Sequence, residues 1–307
     1  MSGKSKKKKN VIVEQVVPAI TWFMEKTLPF TPLPVIRLSV WCLFLVLYPI
    51  AVWSGLVRRY EKNIDIAFQK NKPRAEVRRI ARRTLYSWLM NVFEIVHFYH
   101  PRNYNDVKRI ITIEGLEKIN RAKKGGGGVI GITAHFGNFP LMILRLNHEN
   151  INMSYLFKKI KPDYLASQII DASHRLNMNP IITDYVDRPS RAALDNIQKG
   201  GFVIFVADEF KKTTGVEVEF FDRPTRQAVG PSVISLKTGA PIIPLFIIRE
   251  KKGRFIIRVE DPIEYSLIGD TSKDIEIITQ KRMEIIEKYI RKYPDQWLWI
   301  HSRWIER

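Results

Sequence analysis

The sequence predicts an α/β fold, a mixed central sheet flanked by helices, behind an N-terminal membrane helix. Three observations predict it. From about residue 110, short apolar runs alternate with amphipathic stretches of helical length, the pattern of strands and helices layered on one sheet. Two of those runs, Val129 to Ala134 and Gly201 to Ala207, are short, apolar and bounded by glycine or acidic residues, so they read as buried strands. Upstream, Leu38 to Val57 holds twenty consecutive uncharged residues, long enough to cross a hydrocarbon core of about 30 Å.

Taken in order, residues 1–36 are a basic tail, MSGKSKKKKN, followed by an apolar interfacial segment interrupted by Pro18, Pro29, Pro32 and Pro34. Residues 37–59 are a membrane-embedded or transmembrane helix, flanked by Arg37 and by Arg58-Arg59. Pro49 and Gly55 make a kinked or re-entrant form as reasonable as a straight span. No small-residue cleavage pattern follows it, so it does not read as a signal peptide. Basic residues are commoner after it than before it, which favours the large domain, residues 60–307, on the cytoplasmic side.

Residues 74–98 form an amphipathic helix with an apolar stripe at Ile80, Leu85, Trp88, Val92 and Val96. Strands follow at 110–113, 129–134, 153–157, 181–182 and 201–207, with an edge strand at 216–221 and further strands at 241–248 and 255–259. Helices fall at 116–123, from 141, and at 164–176, 191–198, 230–238 and 274–292.

The formal charge of +19 calls for an anionic partner: an anionic lipid surface, an acidic protein or nucleic acid. No nucleic-acid motif is present, and the apolar span argues against that class. A single cysteine, Cys42, excludes a disulfide framework and a cysteine metal site. His97 and His100, three apart at a helix end, suit packing or capping better than a metal. Neither a metal nor a cofactor is expected. The glycines at 125–128 lack a phosphate-binding spacing and read as a turn.

Two strands end in reactive groups, His135 and Asp208-Glu209. In open α/β sheets, sites collect at the carboxyl ends of strands. A histidine there can act as a general base, and a nearby carboxylate can orient its ring and stabilise its cation. Helix capping or an ion pair with Lys211 or Lys212 is the structural alternative for Asp208.

The run Val129-Ile130-Gly131-Ile132-Thr133-Ala134-His135-Phe136-Gly137-Asn138 resembles the strand-to-histidine signature of the bacterial late lipid A acyltransferases, in the lysophospholipid acyltransferase superfamily. Ile111 to Glu117, Asp208-Glu209, Phe220-Phe221, Arg223-Pro224, Thr238 to Pro244 and Gln296 to Trp304 resemble further pieces in the same order. The resemblance implies a glycerolipid-acyltransferase-like fold on the cytoplasmic face of a bacterial inner membrane. It implies an acidic acyl or aminoacyl carrier protein as donor and lipid A or a related glycolipid as acceptor, modifying outer-membrane lipopolysaccharide. It also implies that Lys158, Lys159 and Arg175 face anionic head groups, with Asn138, Arg223 and Arg226 as further substrate-binding candidates.

The family dyad is a histidine, four residues, then an acid. Here the acid position is Pro140, which can neither accept the ring proton nor stabilise the imidazolium. The acid then comes from Asp208 first, Glu209 second, or Glu149, or the fold persists without catalysis as a membrane lipid-binding protein. A divergent branch that transfers glycine to lipid A, linked to antimicrobial peptide resistance, also has altered site residues. Pro140 inclines the reading towards that branch over the conventional fatty acyltransferases. Backbone amides near Gly137 are the expected oxyanion donors.

Overall fold

The computed structural model describes residues 17–124, 126–149, 151–158, 163–183, 189–211 and 213–305. A helix over 17–27 and a turn at Leu28–Phe30 lead into α1 (Leu33–Trp53). The helix begins before the expected Arg37 and passes through Pro49 unbroken, at the cost of the one hydrogen bond that proline cannot donate. It ends at Trp53, because Gly55 takes a left-handed conformation (φ +76°), and α2 (Leu56–Ala67) starts at once. Next comes α3 (Arg74–Phe98).

The α/β part then runs β1 (Ile111–Glu114), α4 (Leu116–Lys123), β2 (Val129–Thr133), α5 (Phe139–Asn147), β3 (Met153–Phe157), α6 (Asp163–Arg175), β4 (Asn179–Ile182), α7 (Pro189–Gln198) and β5 (Phe202–Val206). After these come β6 (Val216–Glu219), β7 (Pro224–Gln227), α8 (Gly230–Thr238), β8 (Ile242–Arg249), β9 (Phe255–Val259) and α9 (Thr271–Lys292). Seven strands form one sheet in the order β1-β9-β8-β2-β5-β3-β4. β8, β2, β5, β3 and β4 are mutually parallel, and β9 turns back antiparallel on β8, carrying β1 beside it. The sheet is therefore mixed, as expected. The segment expected as an edge strand at 216–221 instead pairs with β7 as a separate two-stranded hairpin, tied to α9 by Gln280 and Glu287.

Both faces of the sheet are covered, and alternate strand residues go to opposite cores. Ile130, Ile132, Val203, Phe205 and Phe246 pack with α3, α7 and α9 on one side; Val129, Phe202, Ile204, Leu245 and Ile247 pack with α5 and α6 on the other. Gly131 in mid-strand leaves room for the Phe202 ring, which a Cβ there would approach to 2.8 Å.

The expected stripe on α3 is displaced. Val92 is exposed and Leu85 and Trp88 only half-buried, while Thr84, Ser87, Asn91, Glu94 and His97 are buried. The polar face turns inward because its members find partners there. His97 donates from Nδ1 to the Leu28 carbonyl (2.8 Å), and just beyond the helix Asn103 donates to the Pro29 carbonyl (2.7 Å). His97 is thus an anchor for the turn before α1. Asn103→Ala leaves the buried Pro29 carbonyl unpaired; it is expected to lower unfolding stability by about 1–3 kcal/mol in a denaturant titration.

Candidate active site

β2, β5 and β3 are parallel neighbours, so their carboxyl ends share one edge of the sheet. That edge carries His135, Asp208-Glu209 and Lys158. Chain continuity fixes the first two side by side: the Ala207 amide donates to the Thr133 carbonyl (2.7 Å).

Asp208 is fully buried and surrounded by donors. Its Oδ1 accepts from the His135 ring at Nδ1 (2.8 Å) and from the His135 backbone amide (3.2 Å). Its Oδ2 accepts from the Trp297 indole (2.8 Å) and lies 3.5 Å from the Arg303 guanidinium. Arg303 also donates to the Asp208 carbonyl (2.8 Å). Burial alone would raise the Asp208 pKa; the cations of His135 and Arg303 and the ring and indole hydrogen bonds outweigh it and hold the carboxyl well below its usual range. The bond to Asp208 places the proton of a neutral His135 on Nδ1, leaving Nε2 as its basic nitrogen. The His135 side chain is one-third exposed (33%), so the ring reaches solvent.

The chain after α9 closes the site. The Gly137 amide donates to the Gln296 carbonyl (2.8 Å), the Leu298 amide to the His135 carbonyl (3.0 Å), and Phe136 bridges Trp297 antiparallel. Gly137 needs its left-handed conformation (φ +56°), and a Cβ on it would sit 2.1 Å from the Ile247 carbonyl oxygen. Beneath the turn, Arg249 grips the buried Glu94 through both guanidinium arms (2.6 and 2.7 Å) and also donates to Asn91 (2.6 Å). Asn91 in turn donates to the Gly137 carbonyl (2.8 Å), and Asn138 donates to Glu94 (3.0 Å).

The expected site residues separate on this frame. Glu209 pairs with Lys211 (2.9 Å) and approaches Lys158 (3.9 Å), while the His135 ring bonds to Asp208. Glu149 is bound to Arg145 at the end of α5, at the opposite edge of the sheet. Asp208 is neither a helix cap nor a partner of Lys211, and Lys212 lies outside the described residues. Asn138 is buried under the turn, where Glu94 holds it, so it is not presented to a substrate. Arg175, at the carboxyl end of α6, neighbours Glu25 and His100 instead of His135, because a crossover helix returns to the amino edge of parallel strands.

Lys158 is exposed on the correct edge, and Lys159 lies outside the described residues. Arg226 pairs with Glu217 on the hairpin. Arg223 helps line a cleft of about 600 Å³ with Arg58, Lys62, Lys70 and Arg74. The expected oxyanion donors also need correction: the Gly137 amide is committed to Gln296 and the Phe136 amide to Ala134. Pro140 is the second residue of α5, where a missing N–H breaks no helical bond.

Sequence reasoning did not single out Trp297, Arg303, Glu94, Asn91 or Arg249 as parts of the site. The signal that marks Asn91 and Glu94 is a polar pair three residues apart on the inward face of α3. His301, near His135, has its pKa lowered by burial and by the cations of Arg303 and His135. Among the described residues, no group of three or more side chains is arranged to hold a metal.

The sequence profile of the family described as bacterial lipid A biosynthesis acyltransferase matches residues 20–306. The phosphatidylinositol mannoside acyltransferase of Mycobacterium tuberculosis is 26% identical over 215 residues, 70% of this chain and 66% of the relative. The enzyme of the same name from Mycolicibacterium smegmatis is 24% identical, over 64% of this chain and 62% of its own length. The lipid A biosynthesis acyltransferase of Haemophilus influenzae is 24% identical, over 66% of this chain and 62% of its own. The matched part thus spans just under two thirds of each of these curated relatives.

A carboxylate with a lowered folded pKa contributes stability above its unfolded value, near 3.9, and that contribution is lost as pH falls through the folded value. Asp208→Asn is therefore expected to flatten the acid limb of the melting curve below about pH 4. At neutral pH it is expected to cost about 3–5 kcal/mol, since it leaves Arg303 buried without its anion. Thermal melts across pH check both.

Proposed function

The chain belongs to the bacterial lipid A biosynthesis acyltransferase family, and from that membership we propose that it transfers an acyl group to a hydroxyl of a membrane glycolipid, with His135 as general base. The observation that carries the reading is the His135–Asp208 contact at the carboxyl edge of the sheet. In this reaction His135 Nε2 takes the proton of the acceptor hydroxyl while its oxygen attacks the acyl carbonyl carbon of a thioester. The carbonyl becomes an oxyanion, then re-forms and expels the thiolate, which leaves with the proton from the imidazolium. Asp208 keeps the ring in the Nδ1–H tautomer and stabilises its transient charge. The amino end of α5 starts beside His135. Its Phe139 and Leu141 amides lack intrahelical partners and are the donors proposed for the oxyanion, in place of Gly137.

The relatives' names supply the acceptor class, since both describe acylation of glycolipids. A thioester on an acidic carrier protein is the proposed donor, drawn by the charge of +19. The case for a glycyl donor rested on Pro140 and a missing acid. With Asp208 proposed in that role from another strand, Pro140 does not favour glycine over a fatty acyl chain, and the donor we propose is a fatty acyl thioester. The same pair argues against an inactive fold. The proposed location is the cytoplasmic face of the inner membrane, supported by the apolar α1 and the basic residues that flank it on both sides.

Mass spectrometry of glycolipids from cells with and without the protein tests this. The expected gain is a fatty acyl mass on lipid A or a related glycolipid; a glycyl mass overturns the donor, and no change overturns the acceptor. His135→Ala and Asp208→Asn are each expected to lower the transfer rate by about 10²–10⁴-fold. Glu209→Gln, which removes only an exposed ion pair, is expected to stay within about fivefold of the parent. If His135→Ala keeps full activity, the reading fails.

A further inference from the structure

A helix of 21 residues with a mean hydropathy of 2.2 meets the length and composition of a bilayer span. The packing of α1 contradicts a crossing. Its amino end is fastened to the large domain: Ile36 and Val40 are buried (1% and 0% exposed) in a cluster with Met90 of α3. Arg37 donates to the carbonyls of Lys252 and Gly253 in the β8–β9 turn (both 3.1 Å), and the preceding turn hangs on His97 and Asn103. Its carboxyl end returns to the same domain: Tyr60, Ile64 and Ala67 of α2 lie in the core with Val77, Ile80 and Ala81 of α3.

Only Trp41 to Trp53 can leave the domain between these anchors. Those residues make roughly 20 Å of helix at 1.5 Å per residue, short of the hydrocarbon thickness of about 30 Å. From Trp53 the chain must re-enter the core at Tyr60 within about 17 Å. Phe44, half-buried, also touches Tyr86 of α3 (5.3 Å between ring centroids), so α1 lies along the domain.

The outward face is apolar as well. Trp41, Leu45, Val46, Ile50, Val52 and Trp53 are exposed, Trp53 by 89%, and Cys42 is exposed among them. A helix lying on a soluble domain shows water a polar face; this one is apolar all round. Cations outnumber anions at its exit: Arg58, Lys62, Lys70, Arg74 and Arg223 border a cleft that also holds Glu61 and Asp65. Apolar side chains beside a cationic rim fit one leaflet of an anionic bilayer.

We infer that α1 does not span the membrane: it lies in one leaflet, with both of its ends on the side of the catalytic domain. The occupant of the exposed face is the acyl-chain layer of that leaflet, and the basic cleft sits at head-group depth. The inference is independent of the acyl-transfer chemistry.

The test uses the full chain in sealed vesicles of phosphatidylethanolamine and phosphatidylglycerol. In a Cys42→Ser background, Lys26→Cys and Lys237→Cys are exposed positions before α1 and within the domain. A membrane-impermeant maleimide is expected to label both from the same side. Labelling of Lys26→Cys only from the side opposite Lys237→Cys overturns the proposal. Separately, a fluorophore on native Cys42 is expected to be quenched more by lipids with shallow nitroxides than by those with nitroxides at the bilayer centre. Strongest quenching at the centre supports a span and overturns the proposal. Absence of quenching overturns it too, and a Cys42–Cys42 cross-link in that case assigns the face to a second copy of the chain.

Discussion

A buried carboxylate organises this molecule. Asp208 has no access to water, so its charge has to be met by the protein, and the groups that meet it come from two distant parts of the chain. His135 comes from the end of β2, while Trp297 and Arg303 come from the segment after α9. Desolvation on this scale is tolerated only when the hydrogen bonds are complete. The same contacts that stabilise the charge therefore fix the ring of His135 and draw the carboxyl-terminal segment across the sheet edge. Stability and the proposed chemistry rest on one set of bonds.

A second buried charge lies under the first. Glu94 and Arg249 join α3 to the end of β8, and through Asn91 and Asn138 they hold the turn between His135 and α5. The turn is thus clamped from below by side chains and from above by the backbone of Gln296 and Leu298. On the proposed chemistry, this frame accounts for a site without an acid at Pro140. Parallel strands end on a common edge, so a carboxylate at the end of β5 reaches the ring of His135 at the end of β2. With Asp208 of the β5 end as the proposed acid, the first turn of α5 is free to carry a proline, which suits a helix start.

The site and the apolar face are linked through α3. One side of that helix buries Asn91 and Glu94 under the reactive turn; another receives α1 through Met90 and Tyr86. A lipid acceptor anchored in the leaflet would meet a proposed membrane element and a proposed base braced by the same helix. The cleft bordered by Arg58, Lys62 and Arg223 adds positive charge where α1 gives way to α2.

Much of this was legible in the sequence. Apolar runs bounded by glycine marked β2 and β5, twenty uncharged residues marked α1, and the groups at strand ends marked His135 and Asp208. These are local signals, written in neighbouring residues. What the sequence left open was non-local. It put Asp208 ahead of Glu209, with Glu149 a further candidate, but the geometry that separates them comes with the register of β2 on β5: Asp208 meets the ring while Glu209 pairs with Lys211 and Glu149 with Arg145. It misjudged the inward face of α3, because hydropathy cannot show that a polar side chain has a partner dozens of residues away. It gave α1 the length to cross a membrane; whether its ends lie on one side is decided by the contacts of Arg37, Val40 and Tyr60, which exist only once the chain is packed.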